Sequence, residues 1–174
     1  ASVRALSIEP LVVEPGDLIR GESFSAVYYY GEDGFRYVFP NDKTYFTWYE
    51  NFDDVEMITD AELATIQMGG NVTYRPGLKM IKINSDPKTY QVASGGVLRW
   101  VTSEEVATAI YGADWNTKID DVADGFFTNY EIGTAIESID DLDEGVCFDD
   151  GESCSYTISD DKELTMYSMV IIED

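Results

Sequence analysis

The sequence predicts a β-rich α+β fold in which two tandem hairpin-plus-short-helix repeats follow an extended N-terminal arm and precede a C-terminal β-strand segment. Self-similarity is the first reason. Ile19 answers to Ile81 and Tyr28 to Tyr90 at a spacing of 62, and Ile58, Asp60, Leu63, Gly69 and Val72 answer to Val122, Asp124, Phe127, Gly133 and Ile136 at 64. The recurring positions are aliphatics, aromatics and glycines while most polar residues drift, as expected of a stacking unit rather than one asymmetric catalytic cluster. Turn chemistry is the second. Gly31 to Gly34 and Ser94 to Gly96 supply the positive backbone torsions of tight hairpins, between aromatic and β-branched runs. Helix-start signals after each hairpin are the third.

In order along the chain, residues 1–15 form the arm: Val3, Leu6 and Ile8 are apolar, Pro10 breaks the run, and Pro15 with Gly16 closes it. Repeat 1 covers 16–74. It opens on a strand at Leu18 to Arg20, continues into a hairpin of Val27 to Tyr30 and Phe35 to Phe39, and then a helix around Tyr45 and Trp48. Thr59 followed by Glu62 is a capping-box pattern for a second helical turn. Repeat 2 covers 75–136, with a strand at Met80 to Ile83 and a hairpin of Thr89 to Val92 and Val97 to Val101. Its helix is capped by Thr102 or Ser103, carries Glu104 and Glu105 in the first turn and ends at Gly112. A helical turn over Asp121 to Phe127 partners the one after Thr59. Matching Gly34 to Tyr37 with Gly96 to Trp100 places one added residue in the second hairpin, moving the spacing to 63. The acidic segment 137–174 carries thirteen acidic residues and one lysine, and its mostly apolar end, Leu164 to Ile172, reads as a buried strand.

Composition narrows the function. Eleven basic and 34 acidic residues give a net charge of −23, and histidine is absent. Such a chain cannot replace counterions on phosphates, so nucleic acid is excluded as a partner, and an anionic membrane would repel it. The longest apolar runs are strand-length, so no transmembrane segment is expected. The chain opens at Ala1 without an initiator methionine, as after removal of a signal peptide. Cys147 and Cys154 flank a polar, glycine-containing loop and read as a local disulfide, which implies an oxidising, extracellular compartment. Closing so short a loop would stabilise the fold by about 2–3 kcal/mol.

The run from Gly16 to Gly21, Val27 and Tyr28, Gly34 to Tyr37, Phe52 to Val55, Ile58 to Leu63 and Gly69 resembles a repeat of about sixty residues found in secreted and cell-surface bacterial proteins. That repeat is often in tandem and next to wall-associated or surface-layer segments. The second copy keeps Asp86 to Tyr90, Gly96 to Trp100, Ala113 to Trp115 and Gly133. The resemblance spans residues 16–136, implies an extracellular, non-catalytic structural or accessory role, and supplies no catalytic residues.

Nucleophilic catalysis lacks its usual base without histidine, so the chain is not expected to be an enzyme. Calcium is the candidate ligand. Asp140, Asp141 and Asp143 precede the cysteine loop, which offers Asp149, Asp150 and Glu152 as hard oxygen donors. Trp48, Tyr49, Trp100 and Trp115 are the candidates for stacking on a wall glycan, although their repeat-equivalent positions also suit core packing. The leading expectation is a self-associating structural subunit of a surface layer, filament or sheath, meeting copies of itself or other cell-surface proteins. A wall-polysaccharide-binding module is the alternative.

Overall fold

The computed structural model describes residues 12–143 and 155–164. Within them each repeat folds into a five-stranded mixed sheet, and the two sheets share one topology. In the first, β1 (Leu18–Arg20), β2 (Val27–Tyr30) and β3 (Arg36–Val38) form an antiparallel meander. Two further strands, β4 (Val55–Met57) and β5 (Met68–Asn71), lie parallel to and outside β1 and β3. The second repeats the plan with β6 (Met80–Lys82), β7 (Tyr90–Ala93) and β8 (Val97–Trp100), flanked by β9 (Ile119–Asp121) beside β6 and β10 (Glu131–Ile132) beside β8. The β-rich α+β class of two similar units is thus borne out.

The four parallel edge strands go beyond the sequence reading. A parallel neighbour cannot be reached through a tight turn. The chain therefore crosses the first sheet by way of α1 (Asp42–Phe46) to lay down β4, and returns by way of α2 (Asp60–Ala64) to lay down β5. In the second unit α3 (Glu104–Tyr111) and a 3-10 turn at Asp124–Asn129 make the same two crossings. The segment read as one helical turn over Asp121 to Phe127 is thus divided between the end of β9 and this 3-10 turn. Asn41, Thr59 and Ser103 cap α1, α2 and α3, each side chain accepting from the backbone N–H three residues on.

Register corrects the repeat alignment. Tyr28 pairs with Val38 and Tyr90 with Trp100, while Phe39 N donates to Val27 O and Val101 N to Thr89 O. A spacing of 62 therefore holds through both hairpins and on to the caps Asn41 and Ser103. The added residue expected in the second hairpin is not there, and Tyr37 corresponds to Arg99. Strands β4 and β9 are 64 apart, so both added residues lie between the helix start and β9, where α3 has 8 residues against 5 in α1.

The matched glycines Gly69 and Gly133 have a steric cause. A Cβ on Gly69 would lie 2.7 Å from Tyr37 Cζ and 2.8 Å from Phe35 Cβ, and one on Gly133 would lie 2.6 Å from Val97 Cγ1. In both units the parallel edge strand approaches so closely that the neighbouring strand fills the space of a side chain. Gly69→Ala and Gly133→Ala should each destabilise the protein by about 1–3 kcal/mol in urea denaturation. An unchanged midpoint for both would show that the edges are loosely held.

The core of the first unit gathers Leu18, Tyr29, Tyr37, Phe39, Tyr45 and Val72 under α1, and Ile158 and Leu164 from the acidic tail belong to the same cluster. In the second unit one cluster holds Ile81, Tyr90, Val92 and Leu98 against Phe126 and Phe127. Another packs Met80, Val101 and Ile136 under α3, with Leu142 of the tail against it. The tail therefore reaches both units: a 3-10 turn at Ile139–Asp141 lies by the second, and α4 (Ile158–Asp161) docks on the first. Tyr74, fully buried in the second unit's core, follows directly on Val72 and Thr73 of the first. Arm residues 1–11 and the expected strand residues 165–172 lie outside the described residues. Pro15 and Gly16 turn the chain into β1 as expected.

Candidate functional site

Two kinds of concave feature stand out, a polar junction and a pair of grooves. The junction forms where the end of the first unit, the β7–β8 hairpin and the tail meet. A cavity of about 520 Å³ lies there, lined by Tyr37, Asn71, Ser94, Asn129, Tyr156 and Lys162 among others. Asp161 is its organising residue. One carboxylate oxygen accepts from Gly95 N at 2.7 Å and from the Tyr156 hydroxyl at 3.0 Å; the other accepts from Thr73 Oγ1 at 3.3 Å. Lys162 donates to Asn71 O at 2.7 Å and lies over the Tyr37 ring at 4.6 Å. Asn71 Nδ2 in turn donates to Asn129 Oδ1 at 2.6 Å. The junction ties the end of the first unit, the β7–β8 hairpin, the 3-10 turn ending at Asn129 and the tail together.

Burial dominates the electrostatics there. It raises Asp161 above its ordinary value of 3.8, against the lowering effects of Gly95 N–H, the Tyr156 hydroxyl and Lys162. Burial also lowers Lys162, against the raising effect of Asp161. An aspartate whose pKa is raised on folding binds its proton more tightly in the native state, so its contribution is lost as pH rises. The stability of the protein should carry a component that falls with pH from 3.8 upward, and Asp161→Asn should remove it. Asp161→Ala, which leaves Gly95 N–H and two hydroxyls without their acceptor, should cost about 2–3 kcal/mol at neutral pH. Thermal melts of both variants across pH check this; parallel pH profiles for the parent and Asp161→Asn would contradict it.

The grooves are repeat-equivalent. In the first unit, Val27, Val38, Phe39, Asn41, Tyr45 and Phe52 border an opening of about 840 Å³ at the end of the sheet where β2 begins and β3 ends. In the second, Thr89, Trp100, Val101, Ser103, Ala107 and Trp115 border one of about 400 Å³. Five of these pairs are 62 apart, and Phe52 and Trp115 are 63 apart. Sequence reasoning missed the recurring groove because its walls come from strand ends and loop residues with no motif of their own. The signal that could have found it is the unbroken spacing of 62 from Val27 to Tyr45, an equivalence that residue type obscures.

The aromatic candidates divide between structure and groove. Trp48 Nε1 donates to Thr73 O at 2.8 Å and its ring stacks on Tyr156, so it braces the junction. Tyr49 packs on Phe39 and Tyr45 in the first core. Trp100, 37% exposed, and Trp115 share the second groove, where Lys88 Nζ lies 5.0 Å from the Trp100 ring centre. Two of the three described carboxylates of the calcium set have partners within the chain. Asp141 accepts from Glu137 N and Ser138 N, and Asp143 pairs with Arg99 at 3.4 Å. Asp140 is exposed in the same turn. Cys147, Asp149, Asp150, Glu152 and Cys154 lie outside the described residues. Among the described residues, no three histidine, cysteine, aspartate or glutamate side chains converge to hold a metal ion, and no helix is long and apolar enough to cross a membrane.

Fold and concave features together define a clasped, two-unit β-rich α+β protein. No family model, curated protein or solved structure matches it.

Proposed function

We propose that this chain is a non-catalytic structural module of an extracellular, cell-surface assembly such as a surface layer, filament or sheath, and that it self-associates. The observation that carries this reading is the pair of like sheets with sticky edges. Among the described residues, β4, β5, β9 and β10 are all outermost strands. Met57 on β4, Met68 on β5 and Ile132 on β10 are 60%, 44% and 64% exposed. Outward backbone groups next to exposed apolar side chains are what a neighbouring chain can add to. A surface-protein repeat over residues 16–136, as expected from the sequence, would suit this role.

A net charge of −23 keeps free copies apart, and divalent cations such as calcium would lower that barrier. Calcium added to the concentrated chain should therefore raise light scattering, and a chelator should reverse the rise. Scattering that ignores both would sink the role given to cations. A second reading, a wall-polysaccharide-binding module, is favoured by the Trp100 and Trp115 pair in one groove. Retention on purified wall glycan that is lost in Trp100→Ala would select it.

A further inference from the structure

We infer that the groove of the first unit receives residues 1–11 of the N-terminal arm of a second copy of this chain, so that copies join head to tail. The inference rests on the self-association reading and names the site that serves it.

Three observations lead there. The groove opens the core of the first unit to the outside, with Phe39 and Tyr45 at its base and Phe52, Val55 and Met57 on its walls. An apolar segment laid into it would extend the buried cluster. The chain also leaves this sheet at the opposite end. Gly16 N donates to Tyr30 O and Tyr30 N donates to Asp17 O, which fixes the start of β1 beside the Gly31–Gly34 turn. The groove borders Val27 and Phe39, at the other end of the same hairpin. The chain before Gly16 therefore joins the sheet at the end opposite its own groove, and Val12, four residues earlier, is 78% exposed. At the rise of a strand, a stretch of eleven residues can span about 36 Å, far enough to enter a neighbour.

Charge is the third observation. The stretch 1–11 of the arm contains Arg4 and Glu9 and carries no net side-chain charge, within a chain of net charge −23. It can thus approach an acidic copy without adding repulsion. The groove rim carries one charge of each sign, Arg20 and Asp42, to meet that one anion and one cation. The groove of the second unit, lined by Trp100 and Trp115, is about 400 Å³ against about 840 Å³ for the first, which makes the first the better receptor.

The test uses two full-length variants. Leu6→Asp spoils the arm and leaves the groove intact; Met57→Asp places a charge on the exposed groove wall and leaves the arm intact. Each alone should associate at least about tenfold more weakly than the parent. Mixed, they should form a pair and nothing longer, because the one good arm meets the one good groove. Ile8→Glu with Met57→Glu repeats the test should either first variant fail to melt like the parent. Variants that associate as the parent does would overturn the groove assignment while leaving self-association standing. A mixture that remains monomeric would overturn docking between copies. A parent that never associates would remove the self-association reading itself.

Discussion

Ending the chain at Ile136 should abolish the cooperative unfolding transition of the first unit, even though all five of its strands remain. Ile158 and Leu164 are 2% and 3% exposed within that unit's core, and Leu142 packs against the second. Removing a buried leucine or isoleucine side chain costs about 2–5 kcal/mol, so losing two approaches the whole stability of a domain, about 5–15 kcal/mol. The junction goes with them: Gly95 N–H, Thr73 and Trp48 lose Asp161 or Tyr156. Near-UV circular dichroism and hydrogen exchange of the shortened chain are the readouts. A native-like near-UV spectrum with protected amides in β1 to β3 would show that the tail is an appendage. The milder variants Ile158→Ala and Leu164→Ala should each lose part of the same stability.

Tyr74→Ala should be the most damaging single substitution between the units, at about 3–5 kcal/mol. The ring is fully buried against Phe126 and its hydroxyl donates to Asp120 at 3.0 Å, while Tyr74 N donates to the Tyr130 hydroxyl at 3.0 Å. Asp120 also pairs with Lys79 at 3.2 Å, so the change reaches the β6 and β9 side of the second sheet. Tyr74→Phe keeps the ring and loses the hydroxyl bond, and should cost about 1–2 kcal/mol. Chemical denaturation of the two variants separates these contributions. Equal losses would mean that the hydroxyl, rather than the packing, joins the units.

The meanders were legible in the sequence because their signals are local. Glycine turns, aromatic strands and the caps Ser103 and Thr59 all act within a few residues. The edge strands were not, since three residues such as Val55 to Met57 carry no period and exist only through pairing with β1. Spacing of the repeat was misread at one place for a related reason. Arg36 and Arg99 look alike, yet the ladder pairs Arg36 with Tyr30 and Arg99 with Gln91, and these differ by a strand face. Matching residue type drew the alignment one position off.

The candidate site was legible only in pieces. Trp100 and Trp115 were found, but their shared groove depends on α3 crossing above the sheet. Trp48 and Tyr49 are held in the junction and the core, as their repeat positions had allowed. Asp161 looked like one more charge in an acidic run. Its role depends on Thr73 and Gly95, 88 and 66 residues away, a distance over which sequence carries no register.

Sedimentation velocity of the full-length chain over a wide concentration range, in calcium and then in chelator, tests the central claim most directly. A self-associating module should show a weight-average mass that grows with concentration and grows further in calcium. A single boundary at the mass of one chain under every condition would contradict it.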